Sequence, residues 1–237
     1  MSKTALITGG TGGIGKAIAI ELAKSGYQTV IVGRNQEKLK AITSEIEKLG
    51  VKCYGIKADL LQEDAPEKII KELIDVFGQL DVLVNCAGLS KSGDFTEVSV
   101  EEWNRMFIVN ARAPFFICRE ALPFLKKAEK AIVINIASVV GFKGYIHQSV
   151  YSSSKHALTG FTKVFAKEVQ PFGIRVHLIS PGGVATEMVT KMRPDINVKE
   201  LIQPEEIAEI VHFIINCKGN GTIDQFYIRR YSGLAFD

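Results

Sequence analysis

The sequence has few of the features that mark a secreted, metal-binding or nucleic-acid-binding protein. Its four cysteines, Cys53, Cys86, Cys118 and Cys217, lie far apart, without a Cys-x-x-Cys pair or a histidine at metal-ligand spacing. We therefore expect reduced, buried thiols and no metal site. Lysine and arginine are scattered among acidic residues and the net charge is only +3, so no nucleic-acid partner is indicated.

Long hydrophobic runs are also missing. No apolar stretch reaches the roughly 18 residues that a membrane span requires, so we expect no membrane association. The amino terminus, MSKTALITGG, lacks the basic region, apolar region and cleavage site of a signal peptide. Hydrophobic residues make up 46% of the chain and charged residues 23%, which is the ordinary balance of a globular protein. Together these observations predict a soluble, cytoplasmic protein.

What the chain does contain is a regular alternation of strand and helix patterns. Short apolar runs bounded by turn residues occur at 4–10, 28–34, 51–59, 81–88, 131–138, 173–180 and 222–228. Helical patterns between them, for example at 13–26, 37–50 and 65–78, end at glycine, as helices often do. Continuous apolar strands are typical of a parallel sheet covered on both faces. We predict an α/β fold with a doubly wound, parallel, seven-stranded sheet of the Rossmann type, flanked by helices on both faces. Because no linker or repeat interrupts the pattern, residues 1–237 are expected to form a single domain.

A glycine-rich stretch, Thr8 to Gly15 (TGGTGGIG), separates the first strand from the first helix. In βαβ units a dinucleotide pyrophosphate binds at this place, against the helix N-terminus, because glycines allow close approach of the backbone. The same residues could form a tight turn without a ligand. Their position at the start of a βαβ unit favours dinucleotide binding.

The end of the second strand indicates which dinucleotide is bound. An acidic residue there would bind the ribose hydroxyls of NAD, but the position is Gly33, followed by Arg34. A guanidinium can bind a 2′-phosphate through two hydrogen bonds. Arg34 could instead be an ordinary surface arginine, yet the pair favours NADP (NADPH) over NAD as the cofactor.

Tyr151 and Lys155 are four residues apart in a helical pattern and therefore lie on one face of a helix. A nearby ammonium lowers the pKa of a phenol from its ordinary value of about 10, which suits it for proton transfer near neutral pH. Such pairs also occur by chance on solvated helices. Ser138, at the end of the preceding strand, could donate a hydrogen bond to a substrate carbonyl oxygen. The three side chains together predict an acid–base site.

These motifs follow one another in a set order: Thr-Gly-x-x-x-Gly-Ile-Gly, Asn-x-Ala-Gly at 85–88, Ser138, the Tyr151/Lys155 pair and Pro181-Gly182. In that order, and over nearly the whole chain, the sequence resembles the single-domain branch of the short-chain dehydrogenase/reductase family. The resemblance implies an NADP-dependent oxidoreductase that transfers a hydride between nicotinamide and a carbonyl or alcohol group. It fixes fold and chemistry better than substrate.

The resemblance also implies roles for individual residues. Tyr151 would protonate the carbonyl oxygen, Ser138 would orient and polarise the carbonyl, and Lys155 would lower the tyrosine pKa and bind the nicotinamide ribose. Asn110 would complete a catalytic tetrad by positioning a water molecule, although it could simply mark a helix kink before Pro114.

For the cofactor, the resemblance places adenine at Asp59 and Leu60, and the nicotinamide carboxamide at Val184 and Thr186. Cys86 stands where the family usually has a second asparagine. The full set of cofactor residues is Gly9, Thr11, Gly12, Gly13, Ile14, Gly15, Arg34, Asn35, Asp59, Leu60, Asn85, Ala87, Gly88, Tyr151, Lys155, Pro181, Gly182, Val184 and Thr186.

Substrate choice is expected from residues 89–95, from residues 139–150 and from a short lid around 186–204, called the lid segment below. Lys191 and Arg193 in the lid segment could meet an anionic substrate, but we interpret them as solvated charges. The ending TIDQFYIRRYSGLAFD looks more like that of family members acting on small ketones, aldehydes and hydroxy acids. A 3-oxoacyl-(acyl carrier protein)-type reductase is the alternative.

Other protein classes fit the sequence less well. A nucleotide-sugar epimerase of the extended branch would carry a further substrate domain, whereas this sequence ends just after the seventh strand pattern. A non-catalytic NADP sensor or scaffold would commonly lack the Tyr/Lys pair. By resemblance, we expect a homodimer or homotetramer formed through helices at roughly 101–127 and 151–170, although these faces could pack only on their own sheet.

Overall fold

In a computed structural model, which describes residues 2–192 and 195–233, the core of the protein is one parallel sheet. The strands lie in the order β3-β2-β1-β4-β5-β6-β7, and every neighbouring pair is parallel. Their bounds are β1 Thr4–Thr8, β2 Gln28–Gly33, β3 Cys53–Lys57, β4 Val82–Asn85, β5 Ile132–Ile136, β6 Arg175–Pro181 and β7 Gln225–Ile228. The predicted doubly wound, seven-stranded sheet is confirmed. The order reverses between β1 and β4, where open α/β sheets bind ligands.

Eight helices connect the described strands. They are α1 Gly13–Lys24, α2 Gln36–Glu47, α3 Ala65–Phe77, α4 Val100–Phe107, α5 Ala113–Leu125, α6 Ser149–Val169, α7 Glu187–Met192 and α8 Pro204–Asn216. The three glycines predicted to end helices, Gly26, Gly50 and Gly78, all have positive φ, between 71° and 86°. Glycine adopts this left-handed conformation without steric cost, so the chain can leave the helix there.

The helices cover both faces of the sheet because strand side chains alternate between the faces. On one face, Ile7 of β1 belongs to a buried cluster with residues of α1, α2 and α8. On the other face, Leu6 packs in a second cluster with residues of α3, α5 and α6. Two apolar layers therefore hold the sheet, and both are fully desolvated at their centres.

The predicted element boundaries need two corrections. Several strands are shorter than their apolar runs; β4, for example, ends at Asn85 rather than at residue 88, because the following residues leave the sheet and border a cleft. The helix predicted over 101–127 is also interrupted, since a π-helical turn at Ile108–Arg112 separates α4 from α5. Apolar periodicity does not distinguish i+5 from i+4 hydrogen bonding.

Cysteine burial is less uniform than the sequence suggested. All four cysteines are free; Cys53 and Cys118 are buried, whereas Cys86 and Cys217 are only partly buried. Within the described part of the chain, no group of three or more candidate ligands is arranged around a metal ion, and no helix is long and apolar enough to cross a bilayer.

Candidate active site

A cleft of about 550 Å³ opens at the carboxyl ends of the strands. Its walls come from the turn after β1, the ends of β2 and β3, the segment after β4, and the beginning of the lid segment. The predicted cofactor residues that line it are Gly9, Thr11, Gly12, Gly13, Ile14, Gly15, Arg34, Asp59, Leu60, Ala87, Gly88 and Thr186. Residues predicted from five distant parts of the sequence are therefore brought to one surface.

Other predicted cofactor residues lie outside the wall of this cleft. Asn35 caps α2, where its side chain accepts a hydrogen bond from the Lys38 amide at 2.8 Å. The Asn85 side chain turns into the interior. Val184 is buried and pairs with Ile202 in a short parallel bridge. Tyr151, Lys155, Pro181 and Gly182 complete this group.

The turn after β1 depends on its glycines. Gly9 has a φ of 69°, and a Cβ atom there would lie 2.8 Å from the Ala87 backbone. At Gly13, the first residue of α1, a Cβ would lie 2.9 Å from the methyl group of Thr186. No side chain caps this helix. The backbone of the turn thus packs directly against the segment after β4 and the lid segment, and its helix end faces the cleft.

The end of β2 has no room for an acidic side chain. A Cβ at Gly33 would lie 2.7 Å from Cγ2 and 2.8 Å from Oγ1 of Thr11. A side chain at this position would therefore collide with Thr11 in its present conformation, and Gly33 itself offers no carboxylate to the ribose hydroxyls of NAD. Arg34, the next residue, is exposed and lines the cleft.

Sequence reasoning missed several residues of the cleft. Lys38 lines it, as do Ser90 and Met188, whose segments were predicted only to choose the substrate. Thr8 supports the cleft, because its hydroxyl accepts hydrogen bonds from the amides of residues 86 and 87. Lys38 had a usable signal, since it lies in the first turn of α2, one turn after Arg34. The others are brought in by packing between elements that are distant in sequence.

Ser138 and Tyr151 come together beside this edge of the sheet. Ser138 follows β5, is 8% exposed, and its hydroxyl hydrogen-bonds the half-buried Tyr151 phenol. This hydrogen bond lowers the tyrosine pKa, but the larger effect of burial raises it above the ordinary value of 10.0. Lys155 is not among the groups that shift this pKa, so its role in lowering the tyrosine pKa stays a prediction.

Lys155 is an unusual lysine because it is 3% exposed. Its ammonium donates a hydrogen bond to the Ile136 carbonyl at 2.9 Å. Burial disfavours the charged form and lowers the pKa of Lys155 to about 8. The ammonium thus lies under the segment after β4, where a Cβ at Gly88 would be 3.7 Å from it.

Asn110 lies fully buried in the π-helical turn between α4 and α5. Its side-chain oxygen accepts from the Leu89 amide at 2.7 Å, and its side-chain nitrogen donates to the Leu89 carbonyl at 2.8 Å and the Ser154 hydroxyl at 3.0 Å. Asn110 therefore fixes the segment after β4 against the helix that carries Tyr151 and Lys155. π-Helical turns occur frequently at functional sites.

A chain of polar side chains lies behind the site. Asn85 donates to Asn135 at 2.9 Å, and Asn135 donates to Thr162 at 2.8 Å. These bonds join β4, β5 and α6 in the buried interior, where hydrogen-bonded polar groups fix relative positions. The Asn85 side chain thus has a structural role here, and its role as a cofactor residue stays a prediction. The Cys86 thiol has its pKa raised to about 12 by burial, so it stays protonated.

Comparisons with known proteins agree with this geometry. The family described as short chain dehydrogenase matches residues 3–197. The 3-oxoacyl-(acyl-carrier-protein) reductase FabG of Aquifex aeolicus is 36% identical over 221 residues, which cover 90% of this chain and 89% of the relative. An alcohol dehydrogenase from the archaeon Thermococcus sibiricus, complexed with 5-hydroxy-NADP, has a TM-score of 0.91 at 27% identity and covers 99% of both chains. Acetoin dehydrogenase YohF from Salmonella typhimurium has a TM-score of 0.87 at 29% identity, covering 97% of this chain and 94% of that one.

The chain therefore belongs to the short-chain dehydrogenase/reductase family. It is an oxidoreductase of the class that acts on CH–OH and C=O groups. The sequence-based recognition of the family and of this enzyme class is confirmed.

Proposed function

We propose that the protein is an NADP(H)-dependent reductase of small ketones or aldehydes, which also oxidises the corresponding secondary alcohols or hydroxy acids. The observation that carries the proposal is the Ser138–Tyr151 hydrogen bond beside the buried Lys155. A serine and a tyrosine that lie this close together can both turn their hydroxyls to donate to one carbonyl oxygen.

The residues of the cleft fit a phosphorylated dinucleotide. The glycine turn leaves a backbone-lined cradle at the start of α1, which suits a pyrophosphate. Gly33 offers no carboxylate at the end of β2, and Arg34 supplies a cation there. The Thermococcus sibiricus neighbour was solved with an NADP derivative. When bound, nicotinamide supplies or accepts the hydride.

The side chains divide the remaining chemistry. Tyr151 donates a proton to the oxygen of the carbonyl during reduction, and Ser138 donates a hydrogen bond to the same oxygen as negative charge develops. Lys155, as an ammonium, stabilises the phenolate left behind. Asn110 acts through Leu89 and Ser154 by keeping the two segments of the site in register.

Apolar residues at the predicted substrate segments favour a small apolar carbonyl compound. The Gly93 amide donates to the His147 carbonyl at 3.0 Å, which places residues 89–95 beside residues 142–148. Phe95 and Ile146, on these two segments, are 77% and 85% exposed. Exposed apolar groups near a site often mark a binding surface.

A second candidate, reduction of 3-oxoacyl thioesters, is favoured by the Aquifex aeolicus relative. One assay separates the two. Purified protein is mixed with NADPH or NADH and a panel of ketones, aldehydes, diketones and 3-oxoacyl thioesters, and nicotinamide absorbance is followed beside a Tyr151→Phe control. NADPH-dependent turnover of small carbonyl compounds supports the proposal, whereas preference for the thioesters supports the second candidate. NADPH binding without any turnover would contradict both.

We also propose self-association through α4–α5 and α6. Trp103, Phe115 and Val164 on these helices are 41%, 46% and 57% exposed, and an exposed apolar surface can mark a contact between protein chains. Light scattering after gel filtration distinguishes a dimer or tetramer from a monomer, and a monomer would contradict this proposal.

A further inference from the structure

The cofactor cleft is bordered on two sides by charged side chains that meet across it. Lys38 comes from α2, while Glu187 and Lys191 come from α7 in the lid segment, and all three line the cleft with Arg34. The Lys38 ammonium lies 3.9 Å from one carboxylate oxygen of Glu187, whose other oxygen lies 2.6 Å from the Lys191 ammonium. Glu187 is thus shared by two lysines from opposite walls. It ties together elements 149 residues apart in sequence.

Helix stability does not account for the position of Lys38. It lies in the first turn of α2, where the helix dipole favours negative charge and disfavours a cation. Its amide is the one that Asn35 caps at 2.8 Å, so the backbone under Lys38 is fixed close to Arg34. A cation at this position is explained if it binds a negatively charged group in the cleft. Among the residues that the structure describes, the Glu187 carboxylate lies within ion-pair distance of it.

Glu187 is held equally well from the other side. Thr186, which precedes it, contacts the glycine turn at Gly13 and accepts a hydrogen bond from the Val189 amide at 3.4 Å. The base of the lid segment is pinned by the Ala185 amide, which donates to the Ile202 carbonyl at 2.8 Å. Both partners of the Lys38–Glu187 pair therefore start from anchored backbones.

We propose that Lys38 is a second cation for the 2′-phosphate of the cofactor, next to Arg34, and that Glu187 aims it into the cleft and competes for it. The inference rests on the proposed NADP(H) function. The Lys38 and Glu187 side chains are 59% and 68% exposed, and such pairs are weak and exchange partners readily. A phosphate dianion offers stronger, charge-assisted hydrogen bonds than one distant carboxylate. Lys38 thus makes a contact that NADH lacks.

The test measures dissociation constants for NADPH and NADH by nicotinamide fluorescence, with no substrate present. Lys38→Met is expected to raise the constant for NADPH about tenfold, the value of one charge-assisted hydrogen bond, and to leave NADH within about twofold. Lys40→Met is the matched control, because Lys40 is an exposed lysine of α2 that does not line the cleft. This control should bind both nucleotides like the wild type.

The role of Glu187 is tested in the same assay. Glu187→Gln removes the competing carboxylate, so NADPH should bind roughly two- to threefold more tightly. In the Lys38→Met variant, Glu187→Gln should leave NADPH binding unchanged, because the ammonium for which carboxylate and phosphate compete is gone. If Glu187→Gln tightened NADPH binding equally in the wild type and in Lys38→Met, the carboxylate would be repelling the cofactor directly. That result would overturn the proposed competition of Glu187 for Lys38.

The outcomes separate this inference from the proposed function. If the wild type binds NADPH more tightly than NADH and Arg34→Gln abolishes the preference, but Lys38→Met matches Lys40→Met, only this inference is overturned. If Lys38→Met weakens both nucleotides equally, Lys38 does not read the phosphate, and the inference is again overturned. A wild type that binds NADH more tightly overturns both the inference and the proposed cofactor.

Discussion

The two ends of the site use charge in opposite ways. At the β2 end, Arg34 and Lys38 are exposed cations beside a turn made of glycine backbone. At the β5 end, the ammonium of Lys155 is 3% exposed and the Asn110 side chain is fully buried. Solvated charges are screened by salt and can exchange partners, whereas a buried charge has a shifted pKa and responds to pH. We therefore expect cofactor choice to depend on salt and to change with single substitutions, and proton transfer to depend on buried groups.

The largest expected effect comes from removing the proton donor. Tyr151→Phe should lower the turnover rate about 10²- to 10⁴-fold, the usual contribution of a general acid. NADPH binding should stay within about threefold of the wild type, because the nucleotide contacts lie at the other end of the site. Absorbance assays and fluorescence titration of the same preparation measure both quantities. If Tyr151→Phe weakened NADPH binding as much as it lowered turnover, the cofactor-binding end and the proton-transfer end of the site would not act separately.

Lys155→Met tests the buried charge through the pH dependence of stability. The pKa of Lys155 is lowered in the fold to about 8 from 10.5, so between these values the unfolded chain binds more protons than the folded one. The free energy of unfolding of the wild type should therefore rise with pH across this window, by roughly 3 kcal/mol from this group. The variant should lack the rise.

Urea unfolding of both proteins at several pH values between 7.5 and 10.5 measures this difference. Other lysines and tyrosines that titrate in the same range are common to both proteins and cancel in the comparison. If the free energy of unfolding changed with pH in the same way in both proteins, Lys155 would be solvated. The contrast between a buried lysine at the β5 end and exposed cations at the β2 end would then be lost.

Arg34→Gln tests the exposed end. It should weaken NADPH binding about tenfold and leave NADH nearly unchanged, because the guanidinium would bind only the 2′-phosphate. Raising the salt concentration should weaken NADPH binding by the wild type and have less effect on the variant. Nucleotide titrations at low and high salt check this expectation. If NADPH binding by the wild type did not change with salt, the contact between Arg34 and the phosphate would be buried rather than exposed.

The smallest effect is expected from the polar chain behind the site. Thr162→Val removes the acceptor of the Asn135 amide and should lower the free energy of unfolding by about 1–2 kcal/mol. Turnover and nucleotide binding should both stay close to wild type, because Thr162 touches neither end. Urea unfolding combined with the absorbance assay distinguishes this result from a catalytic defect.

Regular elements were predictable because their causes are local. Each helix-ending glycine and each continuous apolar run determines its element within a few residues, and the alternation of strand and helix patterns predicted the doubly wound sheet. The π-helical turn at Ile108–Arg112 was not predictable, since Asn110 gains its role from contacts with Leu89 and Ser154 that packing creates. The Lys38–Glu187 pair was missed for the same reason.

The tyrosine pKa shows where reasoning from spacing alone fails. Helical spacing correctly placed Tyr151 and Lys155 on one helix, but it could not reveal that Lys155 would point to the Ile136 carbonyl in a buried place. Burial acts on both groups, raising the pKa of the phenol and lowering that of the ammonium. Electrostatic shifts depend on desolvation, which spacing does not encode.

The most direct test of the account follows a labelled hydrogen. NADPH carrying deuterium at both hydrogen positions of nicotinamide C4 is incubated with the best ketone from the panel, and the alcohol is analysed by mass spectrometry beside a Tyr151→Phe control. The account predicts deuterium on the carbinol carbon with the wild type and almost no alcohol with the variant. Unlabelled alcohol from the wild type, or equal labelling by the variant, would contradict direct hydride transfer with Tyr151 as the proton donor.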